Sequence, residues 1–180
     1  MKVQRILYRM RQFWSALFAA PSLEDLKTVD SLLSPEQRAL FQQMQPSEQA
    51  HSIQVMHAVL HTINGRAGER RQDLLAAALL HDVGKIRYPL RIWERILIVL
   101  GRAFTPEQVK RWGEGEANGW RRAFVVAARH PEWGAQMAAA AGVSPLTEAL
   151  IRWHQKQLLS HQRDSQDEDL YILQSADHEL

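Results

Sequence analysis

The sequence predicts an all-α protein, and three observations carry that prediction. Apolar residues recur at steps of three and four, and no stretch alternates apolar and polar residues as a half-buried strand would. Helix-start signals of the form Ser-Pro-Glu-Gln recur along the chain. The longest unbroken apolar run, Leu74 to Leu80, ends directly in His81-Asp82, followed by Val83-Gly84-Lys85. A buried helix that delivers an imidazole and a carboxylate to its end must give them partners, because a buried carboxylate is strongly destabilising unless paired or bound to a metal.

Length and composition bound the function. At 180 residues the chain has the size of one domain with a substantial core. Cysteine is absent, so any metal must be held by His, Asp or Glu, and a cytoplasmic setting is expected. The formal charge of +2 gives no support for nucleic-acid binding. No apolar run reaches the roughly 20 residues of a membrane span, and no signal peptide is expected at the start.

Taken in order, Val3, Ile6, Leu7, Met10, Phe13, Trp14, Leu17 and Phe18 form an apolar stripe beside Lys2, Arg5, Arg9 and Arg11. Two readings fit this amphipathic pattern: a first helix docked on the core, or a helix lying on an anionic membrane surface, a partner groove or a second copy of the chain. Pro21 ends it, and Ser22 can cap a short helix. Ser34-Pro35-Glu36-Gln37 starts a helix to about Met44, and Pro46-Ser47-Glu48 starts another that carries His51 and runs to Asn64-Gly65. Residues 1–45 are thus read as helices packed on a domain of residues 46–180. After Arg66 to Gln72 comes the apolar helix ending at His81-Asp82, with Gly84 as a left-handed helix stop.

Ile92 to Phe104 is predicted helical, and Thr105-Pro106-Glu107-Gln108 repeats the start signal. The three glycines from Gly113 to Gly119 predict a mobile loop flanked by Trp112 and Trp120, aromatics available to stack on a base or to join the core. A helix from Trp120 to Arg129 then places His130 at a cap position, because Pro131 disfavours helical geometry before it. Ala135 to Ala141 continues as a small-residue helix, and Ser144-Pro145 begins the helix bearing Trp153 and His154. Asp164 to Asp169 reads as a polar connection, and Leu170 to Leu180 as a last helix carrying Asp177.

His51-Ser52, His81-Asp82-Val83-Gly84-Lys85, His130-Pro131-Glu132, His154 and Ala176-Asp177, in that order and spacing, resemble the motif series of HD-domain metal-dependent phosphohydrolases. The resemblance covers about Ser47 to Asp177 and implies a helical bundle of about seven to nine helices. It implies His51, His81, Asp82 and Asp177 as ligands of one ion, with His130 and His154 completing a second and Asp82 bridging. Iron or manganese is favoured, with zinc, cobalt or nickel as alternatives. Two such ions activate a hydroxide and neutralise phosphate charge, so Asp82 and Lys85 are the expected catalytic residues. Lys85, Arg87 and Arg91 are the expected contacts to a small phosphorylated substrate, a nucleotide or dinucleoside polyphosphate. The rival reading is a non-catalytic nucleotide-binding or protein-interaction module, associated with a membrane through residues 1–20. The Gly-Tyr-Pro signature of the family's cyclic dinucleotide phosphodiesterases is missing around Trp153-His154-Gln155-Lys156. His57 and His61 are read as surface or packing residues, His161 as solvated, and His178 as the alternative to Asp177.

Overall fold

A computed structural model describes residues 19–63, 68–156 and 165–178. Among these residues it is entirely helical, as predicted. The apolar stripe of residues 3–18, the turn around Gly65 and His161 lie outside the described residues. We number the helices α1 (Leu23–Leu32), α2 (Pro35–Phe41), α3 (Pro46–Thr62), α4 (Glu69–Leu80), α5 (Ile92–Phe104), α6 (Pro106–Trp112), α7 (Arg122–Ala140), α8 (Pro145–Trp153) and α9 (Ser165–His178), with 3₁₀ turns at Val83–Arg87 and Gly119–Arg121.

Local chemistry sets most of the starts. Ser22 and Ser34 each accept from the backbone N–H three residues on, and Asp25 and Gln37 reach back to the cap N–H, closing reciprocal capping boxes. Glu48 does the same for Gln45 at the start of α3. Thr105 does not: its hydroxyl donates back to the Gly101 carbonyl, so Pro106 alone marks that start. Helix α9 begins at Ser165, five residues earlier than predicted, and its first turn carries Asp167 and Glu168, where negative charge favours a helix N-terminus.

Helix α4 is the centre of the bundle. Leu74 to Leu80 are buried on every side and pack against α3 and α8, with α1 and α9 flanking. Leu79, Met56, Ile151 and Leu173 belong to this main core. A second, smaller core lies under α5 and α6, built on Ala123 to Ala127 of α7 with Leu90, Ile98 and Trp133. The long interval from Lys85 to His130 therefore folds as a layer packed on α7, and His130 from the middle of α7 faces Asp82.

Two readings of the sequence are corrected here. Helix α7 runs unbroken from Arg122 to Ala140 through Pro131, so His130 sits within a helix rather than at a cap. The hydrogen bond lost at Pro131 is tolerated because Pro131 is buried on α7, the helix that packs most extensively against the Val83–Arg87 turn. Gly84 is also no left-handed stop, since its φ is not positive. It lies in the 3₁₀ turn and is needed for space: a Cβ there would stand 2.0 Å from the His130 carbonyl oxygen and 2.6 Å from the Gly134 nitrogen. Because both are backbone atoms of a packed helix, Gly84→Ala is expected to destabilise the protein by about 3 kcal/mol, as overpacking of a tight core does. Urea denaturation checks this, and an unchanged midpoint would contradict the tight contact.

Candidate metal centre

The six predicted ligands come from five places in the chain and meet at one end of the bundle. His51 comes from α3, His81 and Asp82 from the end of α4, His130 from α7, His154 from the end of α8 and Asp177 from α9. They form two groups, His51 with His81 and Asp177, and Asp82 with His130 and His154, within which the ligand atoms lie no more than 4.8 Å apart. Four imidazole rings succeed one another at 5.5, 5.1 and 5.2 Å between centroids, in the order His51, His81, His154, His130.

The orientation of three of these rings is set by backbone carbonyls. The Nδ1 of His81 donates to Ala78 O at 2.9 Å, that of His130 to Val126 O at 3.0 Å, and that of His154 to Ile151 O at 2.7 Å. Holding the proton on Nδ1 aims Nε2 inward, as in metal-ligating histidines whose second nitrogen is fixed by a partner. The inward nitrogens meet the carboxylates. His130 Nε2 lies 3.1 Å from Asp82 Oδ1, His51 Nε2 2.9 Å from Asp177 Oδ1, and His81 Nε2 3.6 and 3.7 Å from Asp177 Oδ1 and Asp82 Oδ2. Asp82 thus turns one oxygen to each group. Its Oδ2 also accepts from Lys85 Nζ at 2.5 Å.

Whether this donor set suits a metal is decided by its leftover atoms. His81 Nε2 and His154 Nε2 are buried without a hydrogen-bond partner. Buried polar atoms are rarely orphaned, and these two face acceptor oxygens in a mixed nitrogen and oxygen set that fits a first-row divalent ion.

The charge states follow from packing. Burial by itself disfavours a charged His81, but Asp82 and Asp177 beside it outweigh that and raise it to about 9. Burial lowers His154 to about 3, and repulsion from His81 and His130 acts in the same direction, so it is neutral at ordinary pH. Burial also lowers His130, against the pull of Asp82. For Asp82 burial works to raise the pKa, yet Lys85, His81 and His130 hold it well below the usual carboxylate range. Burial works to raise Asp177 too, but the His51 hydrogen bond and the nearby His81 ring hold it well below the usual carboxylate range.

A cleft of about 540 Å³ opens over this centre, lined by His51, Asp82, Lys85 and Asp177 together with Ser47, Glu48, Arg95, Arg102, Gln155 and His178. Arg87 and Arg91 are not in it. Arg87 lies over the Tyr88 and Trp133 rings in a separate cavity of about 550 Å³, and Arg91 lies with Trp93 and Arg122 in a third. Both follow the metal motif closely in sequence, but Arg87 at the end of the 3₁₀ turn and Arg91 at the cap of α5 line these other cavities. His57 and His61 are exposed, with His57 against Asp25 at 3.3 Å. His178 donates to Gln174 O, and it is Asp177 that lies with His51 and His81 in the first group. Trp112 and Trp120 meet edge to face and join Phe124, away from the cleft.

Sequence reasoning missed Glu48 and Arg95. Glu48 is buried, and burial raises its pKa. It accepts from Arg95 at 2.8 Å, and Gln45 and Ser47 hold the same guanidinium at 2.7 and 3.4 Å. The available signal was the seven-residue spacing of Arg95 and Arg102, which puts both on one face of α5.

The HD domain family matches residues 49–179, and the chain belongs to that family, whose members are generally divalent-metal-dependent hydrolases. No curated protein and no solved structure is similar enough to the chain to be matched with it.

Because His81 carries a proton well above neutral pH in the metal-free protein, and a ligand nitrogen must be unprotonated, metal loading near pH 7.5 is expected to release about one proton per chain. The release should vanish as the pH rises through about 9, where His81 has already lost its proton. Calorimetry in buffers of different ionisation enthalpy measures this, and loading without proton release at neutral pH would contradict it.

Proposed function

We propose that this protein is a metal-dependent phosphohydrolase that cleaves a small phosphorylated compound, a nucleotide or dinucleoside polyphosphate, in the cleft above the six ligands. One observation carries the reading: three imidazoles fixed through Nδ1 converge their Nε2 atoms on two carboxylates held ionised by their surroundings. In it, His51, His81, Asp82 and Asp177 hold one ion and Asp82, His130 and His154 a second, with iron or manganese favoured by the nitrogen and oxygen donor set. Ions bound there supply a nucleophile from water at neutral pH and charge neutralisation for phosphate oxygens.

The chain's own side chains do the rest. Lys85 is the counter-ion of Asp82 Oδ2, and it is the cation nearest to a phosphate placed over the centre. Moving from the carboxylate to a phosphate oxygen, it frees Oδ2 to ligate and adds a charge-assisted hydrogen bond to the substrate. Arg95 presents its guanidinium at the cleft wall, fixed from behind by Glu48 and Gln45. The cleft cations Lys85, Arg95 and Arg102 balance the acids Glu48, Asp82 and Asp177, so loaded ions make the cleft positive and attractive to an anion.

Two outcomes test this. Asp82→Ala should lose both ions and at least about 1000-fold in turnover of the nucleotides that the wild type hydrolyses, because the bridging carboxylate serves both ions. Metal analysis with phosphate release over a nucleotide panel reads it, and full hydrolysis by the variant would remove the assignment. His130→Ala or His154→Ala should lower metal content by about one ion per chain and leave the first ion bound. A substrate-binding role for the two histidines predicts instead unchanged metal and a raised KM.

A further inference from the structure

Arg102 is the cleft residue with no role in holding the fold. It is exposed, and it has no ion-pair or hydrogen-bond partner among the described residues, yet it lines the same cleft as Asp82 and Lys85. It stands seven residues after Arg95 on α5, two turns along the same face, about 10 Å further along the helix axis. Val99, half exposed, lies on that face between them. Lys85 on the Asp82 carboxylate, Arg95 on Glu48 and Arg102 two helical turns from Arg95 are therefore three cations spread along one cleft.

A single phosphate over the metal centre engages the first of these and leaves the last unused. Arg95 is already pre-organised: three of its N–H contacts go to Gln45, Ser47 and Glu48, so its remaining donors face the cleft without further loss of side-chain freedom. Arg102 pays side-chain entropy on binding and contributes only if an anionic group reaches it. A linear chain of phosphates, with the terminal group at the centre and the others running along α5, satisfies all three cations in turn. We infer that the α5 wall selects substrates carrying three or more linked phosphates, with Arg102 as the residue that reads the distal phosphate. This deepens the hydrolase reading above and rests on it.

Binding separates the two ideas, because it needs no turnover. The full chain is titrated with orthophosphate and with inorganic tripolyphosphate, manganese being in excess over both ligands so that neither strips the protein. Tripolyphosphate is expected to bind at least tenfold more tightly, and Arg102→Ala to reduce that ratio to threefold or less, with Arg102→Lys between the two. A nucleoside 5′-triphosphate in the same assay distinguishes the source of the phosphates. Affinity equal to tripolyphosphate assigns recognition to the phosphates alone, tighter affinity adds a contact to the nucleoside, and either outcome supports the three-cation reading. Equal affinity of the wild type for the short and long ligands overturns the inference, as does a preference that survives Arg102→Ala. A chain that binds as expected but hydrolyses nothing keeps the three-cation reading and loses the hydrolase reading. A chain that hydrolyses without any preference for linked phosphates does the reverse.

Discussion

The backbone contact between Gly84 and helix α7 is the constraint on which the centre depends. Gly84 lies against His130 O and the Gly134 nitrogen, and Gly134 in turn leaves room for the Gly84 nitrogen, which a Cβ on residue 134 would approach to 3.1 Å. Two glycines facing each other let a 3₁₀ turn and a helix touch without side chains between them. That approach brings Asp82, two residues before Gly84, within 3.1 Å of His130, four residues before Gly134. Any larger residue at the contact separates the two halves of the ligand set. The glycine in the His-Asp-Val-Gly-Lys stretch therefore acts through tertiary packing, not through backbone handedness.

The centre is also an electrostatic compromise. It gathers four imidazoles and two carboxylates at one end of an apolar bundle, where unpaired charge is strongly penalised. Without metal, the carboxylates are stabilised by what lies beside them: Lys85 and His81 on Asp82, and His51 and His81 on Asp177. His154 avoids the penalty by remaining neutral. In the proposed hydrolase, divalent ions held by these groups would take the place of these protons and of the Lys85 ammonium, which would couple metal binding to proton release and to the freedom of Lys85.

Most of the centre was legible because its residues carry chemistry in a fixed order. Histidine and aspartate at the end of an apolar helix need partners, and the ordered motif series pointed to His51, His130, His154 and Asp177, which the fold brings beside them although 126 residues separate His51 from Asp177. The substrate side was much less legible. Arg87 and Arg91 were chosen for their closeness to Lys85 in sequence, but a tight turn sends successive side chains in different directions, and both face other cavities. Glu48 was visible only as a helix-capping residue, which it is; that its second oxygen also holds Arg95 depends on α5 lying across the start of α3.

What the sequence by itself determined, then, is whatever depends on local periodicity and residue type: the all-helical class, the capped starts of α1 and α2, the buried α4 and which histidines and aspartates are candidate ligands. Tertiary structure alone decided three things. It kept α7 continuous through Pro131, because packing on the Val83–Arg87 turn outweighs one lost hydrogen bond. It divided the six candidate ligands into two groups, with Asp82 turning one oxygen to each. It chose α5, and not the turn after Lys85, as the cationic wall of the cleft. The physical reason is common to all three: propensity and residue chemistry act within a few residues, whereas the direction in which a side chain points is set by which backbones come into contact.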